Sequence, residues 1–283
     1  MTAHGRLAGA GATLALLTIL SGCAAPSTAP SPSSTEAEKL VWSDEFDGAA
    51  GTSPDPANWN FVTGGDGSGN NELQCYTTAP GNVSLDGSGD LVITAIRQPG
   101  HICADGKKND YTSGRLTTAN KFTAKYGRME VRAKVPTSSG SWPAFWALGS
   151  NKPAVGWPAA GEIDVMEVVG KQPSVVHGTL HGPKADGSPT SVSTSIDTGS
   201  DLAGTFHVFG ALWTPTQITF TLDGKSYGTV SKAAFEKAGG KWVFTQSFYL
   251  LLNLAVGGDF PGNPVDGSPW PQSYTIDYVR VYN

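Results

Sequence analysis

The run Gly161-Glu-Ile-Asp-Val-Met-Glu-Val-Val-Gly170 decides how the chain is read, because it sets Glu162, Asp164 and Glu167 among apolar residues without a basic partner. Ile163, Val165, Val168 and Val169 are β-branched, glycines bound the run, and no helical apolar stripe develops. A strand is therefore expected. On a regular strand Glu162 and Asp164 share a face, whereas Glu167 points the other way. One extra residue between them, a β-bulge, returns Glu167 to the shared face. The outer Cα atoms then lie roughly 13 Å apart, and glutamates leaning inward close the carboxyl gap to the ~5 Å that suits double displacement at a sugar carbon. Crowded carboxylates cannot all ionise cheaply, so one proton is held to higher pH, ready for a leaving oxygen. A bare Glu-x-Asp-x-x-Glu pattern more often marks a solvated acidic face or a calcium site, and its surroundings must decide.

Working outward, Trp142, Trp146 and Trp157 precede the acidic run within a Gly/Pro-rich region. Indole faces stack on the flat C–H faces of sugar rings; the alternative for each, Trp146 beside Phe145 above all, is a place in the core. After the run, His177, Thr179 and His181 share a face of an expected next strand, where a lone histidine can also be purely structural.

The rest of the chain reads as all-β. Of 283 residues, 36 are Gly and 19 Pro, and only 15% are charged, which means many turns. Met129, Val131, Ala133 and Val135 alternate with Arg128, Glu130, Arg132 and Lys134, marking a half-buried strand. Ile218 to Leu222, the Asp223-Gly224 turn and Tyr227 to Val230 form an expected hairpin. Phe248 to Val256 is nearly all apolar, as a central strand is, and Tyr274 to Tyr282 is a further strand. Lys232 to Ala238 alone has helical periodicity.

Arg6 and the apolar run Leu7 to Leu20 form an export signal too short for a comfortable membrane span. Leu20-Ser-Gly-Cys23 resembles the lipobox of bacterial lipoproteins, in which the cysteine becomes the lipidated first residue; cleavage near Ala24-Ala25 with ordinary secretion is the alternative. The organisation is a signal over 1–22, a Ser/Pro/Ala/Thr tether over 23–38 that cannot bury enough surface to fold, and one domain over 39–283. The chain is extracytoplasmic on either reading. Net charge is -5 with no basic cluster, which argues against a nucleic-acid partner; a membrane is touched only through the lipid. Setting Cys23 aside leaves Cys75 and Cys103 as a pair in an oxidising compartment, where a disulfide between them is expected and two separate thiols are the alternative.

Trp142-Pro-Ala-Phe-Trp146, Gly156-Trp-Pro, Gly161-Glu-Ile-Asp-Val-Met-Glu167 and Gly178-Thr-Leu-His-Gly182 together resemble glycoside hydrolase family 16. The resemblance covers the whole mature domain, from Leu40-Val-Trp-Ser-Asp-Glu-Phe-Asp47 through Asn70-Asn-Glu-Leu-Gln74 and Thr112-Ser-Gly-Arg115 to Leu251-Leu-Asn-Leu-Ala-Val-Gly-Gly258 and Asp277-Tyr-Val-Arg-Val-Tyr282. Within the family the chain is most similar to bacterial laminarinases, endo-β-1,3-glucanases with the bulged motif. The resemblance implies a concanavalin A-like jelly-roll sandwich of two curved antiparallel sheets, acting as a monomer on a β-glucan. It implies Glu162 as nucleophile, Glu167 as general acid/base and Asp164 as support for the nucleophile. It places Asn71, Arg115, Trp142, Trp146, Trp157 and His181 along the cleft. No cofactor is implied for catalysis, while Glu45 and Asp277, with a carbonyl near Gly89, match a structural calcium site of many relatives. Other activities on this scaffold are mixed-linkage glucan cleavage, galactan hydrolysis and transglycosylation; a glycan-binding protein without turnover is disfavoured by two intact glutamates.

If Cys23 is lipidated, mass spectrometry of the exported chain finds a diacylglyceryl-modified Cys23 as its first residue, and Cys23→Ala releases or traps the protein. An unmodified terminus beyond Cys23 rules the anchor out.

Overall fold

The computed structural model describes residues 38–283; the signal segment, Cys23 and the tether up to residue 37 lie outside the described residues. In chain order the strands are β1 (Leu40–Asp44), β2 (Asn60–Phe61), β3 (Gln74–Tyr76), β4 (Val83–Leu85), β5 (Leu91–Ile102) and β6 (Lys108–Ser113). Then come β7 (Arg115–Thr117), β8 (Gly127–Lys134), β9 (Ser141–Gly149), β10 (Glu162–Glu167), β11 (Val175–Pro183) and β12 (Pro189–Asp197). The last five are β13 (His207–Trp213), β14 (Gln217–Leu222), β15 (Lys225–Ser231), β16 (Phe248–Val256) and β17 (Gln272–Tyr282). Among the described residues the α-helices are α1 (Lys152–Val155) and α2 (Lys232–Lys237), with one 3-10 turn at Gly67–Gly69. Ser231 caps α2 by accepting the Ala234 N–H at 3.1 Å.

Two sheets stack face to face as a jelly-roll sandwich. The outer sheet has ten strands in the order β15-β14-β13-β8-β17-β5-β6-β3, with β1 joined to β17 and β4 to β5. The inner sheet has seven, in the order β12-β11-β10-β9-β16-β7-β2. Pairing is antiparallel except between β3 and β6. The core lies between the sheets and follows from period-two alternation. Met129, Val131 and Ala133 of β8 face Phe145 and Ala147 of β9 and Leu250, Leu252 and Leu254 of β16, all fully buried. Each of the Met, Val, Phe and Leu side chains contributes about 1.5–3 kcal/mol by leaving water.

The hairpin expected around Asp223-Gly224 is present, both turn residues having positive φ, 50° and 74°, as a primed turn requires. Gly178 is fixed by packing: a Cβ there would lie 2.5 Å from the Phe220 ring. Glu38 bonds to Arg128 at 2.7 Å, and the Lys39 N–H donates to the Asn283 carbonyl at 2.9 Å.

Cys75 and Cys103 form a disulfide with a Cα separation of 5.3 Å. It joins β3 to the turn after β5. Gly65 lies against it, since a Cβ there would sit 2.2 Å from Cys103 Sγ, and the Gly65 N–H donates to Asp105 at 3.0 Å. The bridge therefore backs the segment that rims the cleft described below. Loop closure makes it worth about 3 kcal/mol, so Cys75→Ser/Cys103→Ser lowers Tm by roughly 6–12 °C while kcat is retained. Unchanged melting by calorimetry refutes a structural role.

Candidate active site

The three carboxylates of β10 owe their common face to a bulge. Against β11, Asp164 pairs with Thr179 and Glu167 with His177, so three steps on β10 match two on its neighbour. Against β9 the register shifts between Asp164 and Met166. Val165 and Met166 are consecutive yet both fully buried in the core. Glu162, Asp164 and Glu167 are left together on the open face, lining a cleft of about 900 Å³. Gly161, at φ +76°, begins the strand where a Cβ would come within 2.8 Å of Val243.

Uncharged donors hold the outer carboxylates. The Trp142 indole N–H donates to Glu167 Oε1 at 3.0 Å, and that of Trp157 to Glu162 Oε2 at 3.0 Å. His181 Nε2 lies 3.0 Å from Asp164 Oδ2 and 4.0 Å from Glu162 Oε1. Among the described residues no Lys or Arg forms an ion pair with any of the three.

Burial is the main cause of the site's electrostatics. Desolvation, then repulsion from Asp164, pushes the Glu162 carboxyl up to about 8, against smaller pulls from His181, Arg115 and the Trp157 hydrogen bond. Asp164 is raised by desolvation as well. Glu167 is held well above the carboxylate range by desolvation, then by repulsion from Asp164 and Glu162. The cluster thus holds protons to higher pH than free carboxylates do, and Glu167 is raised by two neighbouring carboxylates where Glu162 is raised by one.

The remaining expected residues fall as follows. Trp146 faces the cleft while Phe145 enters the core, which settles the choice left by their adjacency. The Trp146 N–H donates to Asn253 at 2.7 Å, and the Arg115 guanidinium lies 4.7 Å from the Trp146 ring centroid. Asn71 does not line the cleft. Its left-handed backbone, φ 57°, turns its amide to the Asp259 carboxylate at 3.0 Å, and Asn70 faces the cleft instead, donating to Glu72 at 3.2 Å. Of the residues expected around calcium, both Glu45 oxygens accept from Arg280, at 3.0 and 2.8 Å, and Asp277 pairs with Arg132, so guanidiniums engage both carboxylates.

Sequence reasoning missed a polar network under the cleft. Asn253 donates to the Tyr76 hydroxyl at 3.1 Å, Tyr76 to Glu72 at 3.2 Å, and Gln74 to Glu72 at 2.6 Å. The lone polar Asn253 in the apolar strand Phe248–Val256 was its one visible signal. Phe260 was missed too; it meets Trp142 edge-on at 5.5 Å and His177 at 5.2 Å.

A tryptophan-walled groove with clustered, proton-holding carboxylates on a jelly-roll sandwich defines a carbohydrate-cleaving hydrolase. The chain belongs to the glycosyl hydrolases family 16, whose model matches residues 70–280. It is 39% identical over 284 residues to a beta-glucanase of Rhodothermus marinus, covering 95% of this chain and 93% of that protein. It is 37% identical over 257 residues to a glucan endo-1,3-beta-glucosidase of Cryptopygus antarcticus, covering 86% and 91%. The crystal structure of the laminarinase catalytic domain of Thermotoga maritima matches with a TM-score of 0.78 at 41% identity, covering 88% of this chain and 99% of that one.

The raised Glu162 carboxyl gives a stability prediction. Its folded value, about 8, exceeds the ordinary 4.5, so the unfolded state loses its proton first and stability falls as pH rises between the two. Glu162→Gln, which cannot ionise, should therefore melt higher than the parent at pH 8, with the gain shrinking as pH falls and vanishing below about pH 4. An equal Tm difference at pH 4 and pH 8 excludes this linkage.

Proposed function

We infer that the chain is a retaining endo-β-1,3-glucanase acting on laminarin-type glucans. The bulge on β10 is the observation that carries this reading, because it aims two glutamates and an intervening aspartate into one cleft. The activities of the related enzymes supply the linkage. Family 16 hydrolysis needs no cofactor.

Glu162 is the nucleophile. It attacks in its ionised form, which burial and Asp164 disfavour and which His181, Arg115 and the Trp157 N–H on its Oε2 partly restore. Glu167, whose proton is kept by burial and by repulsion from Asp164 and Glu162, protonates the glycosidic oxygen as the C–O bond breaks. Trp142 occupies its Oε1, which leaves Oε2 for that proton. Formation of the glycosyl-enzyme removes the charge on Glu162. Glu167 then ionises more easily and takes the proton of the attacking water, which completes the second displacement with net retention. Asp164, between the two glutamates, supports the nucleophile by hydrogen bonding to Glu162. Trp146, Arg115 and Asn253 form the adjoining floor on which further sugar units stack.

All these residues come from one chain, so a monomer suffices. Among the described residues no helix is long and apolar enough to cross a membrane, and attachment, on this reading, is through lipid on Cys23 of an exported protein.

Product NMR on laminarin tests the mechanism: the β-anomer appears first, and an α-anomer appearing first overturns the assignment. Glu162→Ala abolishes hydrolysis but accepts azide to give the inverted product. Glu167→Ala loses about 10²- to 10⁴-fold on laminarin and much less on substrates with very good leaving groups. Parallel digests of lichenan and agarose separate the linkage from the mechanism, since either could fail alone.

A further inference from the structure

Three donors of two chemical kinds converge on the open face of β10 and β11. Glu162, Asp164 and His181 each offer one ligand atom, all within 4.8 Å of one another. His181 Nε2 is 3.0 Å from Asp164 Oδ2 and 4.0 Å from Glu162 Oε1. In a tetrahedral shell with bonds of ~2.0–2.1 Å, ligand atoms stand about 3.3 Å apart, so the two measured edges bracket the spacing a cation needs.

A second observation is independent of the clustering. Asp164 is only 4% exposed, and its Oδ2 is buried without a hydrogen-bond partner, His181 Nε2 lying 3.0 Å from it without donating. A buried carboxylate oxygen left without a donor is costly, and a bound cation would satisfy it. The neighbouring glutamate is already oriented: Trp157 takes its Oε2, which leaves Oε1 on the His181 side, as outer contacts do around metal-ligating carboxylates.

We propose that Glu162, Asp164 and His181 form a binding site for a borderline divalent cation of the Zn²⁺ type, and that its occupancy competes with glucan. One imidazole and two carboxylates suit Zn²⁺ or Cu²⁺; Ca²⁺ and Mg²⁺ prefer larger or fully octahedral oxygen shells. The fourth position faces the cleft and takes water. Because the cation engages the carboxylate assigned as nucleophile, metal and substrate exclude each other. The cation is an inhibitor here, with no part in the reaction. The competition rests on the proposed function, whereas binding of the ion does not.

Calorimetric titration of the untagged full chain with ZnCl₂ tests the site. The expected result is one Zn²⁺ per chain, weakened at least tenfold in His181→Gln and in the near-isosteric Glu162→Gln. Affinity is retained in His207→Gln, which removes the separate His207–Asp223 contact on the outer sheet. Circular dichroism establishes that each variant is folded, and either ligand variant alone suffices. In turnover assays Zn²⁺ raises KM for laminarin at constant kcat, and EDTA restores it. Superimposable titrations of the parent and a folded ligand variant overturn the site. Inhibition that persists at saturating laminarin overturns the competition, and an inactive parent that still binds one Zn²⁺ through these residues places the fault with the proposed function instead.

Discussion

The whole arrangement depends on the one-residue register shift between Asp164 and Glu167. Without it Met166 would face the cleft and Glu167 would enter the core among Phe145, Val176 and their neighbours, where an ionised carboxylate without a partner costs several kcal/mol. The bulge reverses both placements at once, since Val165 and Met166 are both buried and the glutamate is not stranded. It is absorbed by two flanking strands whose own alternation continues on either side, β9 through Trp142, Ala144 and Trp146 and β11 through His177, Thr179 and His181. Both neighbours therefore present functional side chains on the same face as β10.

The donors chosen for these carboxylates matter as much as their positions. Glu45 and Glu162 are the same residue type with opposite fates. Glu45 meets the Arg280 guanidinium in a bidentate pair, and its carboxyl is lowered. Glu162 and Glu167 meet indole N–H groups, which orient a carboxylate without supplying a positive charge, so burial prevails and both are raised. A guanidinium at Trp142 would fix Glu167 equally well and make it a poor acid. Positioning and proton affinity are thus set separately, one by a neutral hydrogen bond and the other by desolvation and like charge.

How much was legible in the sequence follows from which signals are local. Strands β8, β14, β15 and β16 declared themselves through alternation, the Asp-Gly turn and an unbroken apolar run, and the bulge followed from a five-residue spacing on one strand. Features requiring knowledge of what lies opposite were hidden. Asn70 and Asn71 are adjacent identical residues, and only the left-handed φ at Asn71 decides which one enters the cleft. Glu45 and Asp277 were read as oxygen ligands, but Arg280 and Arg132 take them once β1 and β17 pair and β17 lies beside β8. The tryptophans were legible as cleft residues by composition, while their role as donors to the acids needed the fold.

Asn253 shows how the sandwich holds the cleft in shape. It is 6% exposed in the middle of an otherwise apolar strand, and a buried amide there is tolerable only if its groups are bonded. Its oxygen takes the Trp146 N–H and its nitrogen reaches Tyr76, which continues to Glu72 and Gln74. Gln74 in turn accepts the Val256 backbone N–H at 2.7 Å, on the same strand as Asn253. One strand therefore ties the sheet floor to the β3 segment above it, and the Cys75–Cys103 bridge holds that segment from behind. Glu72 Oε2 accepts from both Gln74 and Tyr76, whereas Asn253 Oδ1 and the Tyr76 hydroxyl have one donor each, so losing the Trp146 or the Asn253 donor leaves a buried acceptor unpaired. The floor beside the carboxylates is consequently fixed before a sugar arrives, and little of the binding free energy need be spent ordering it.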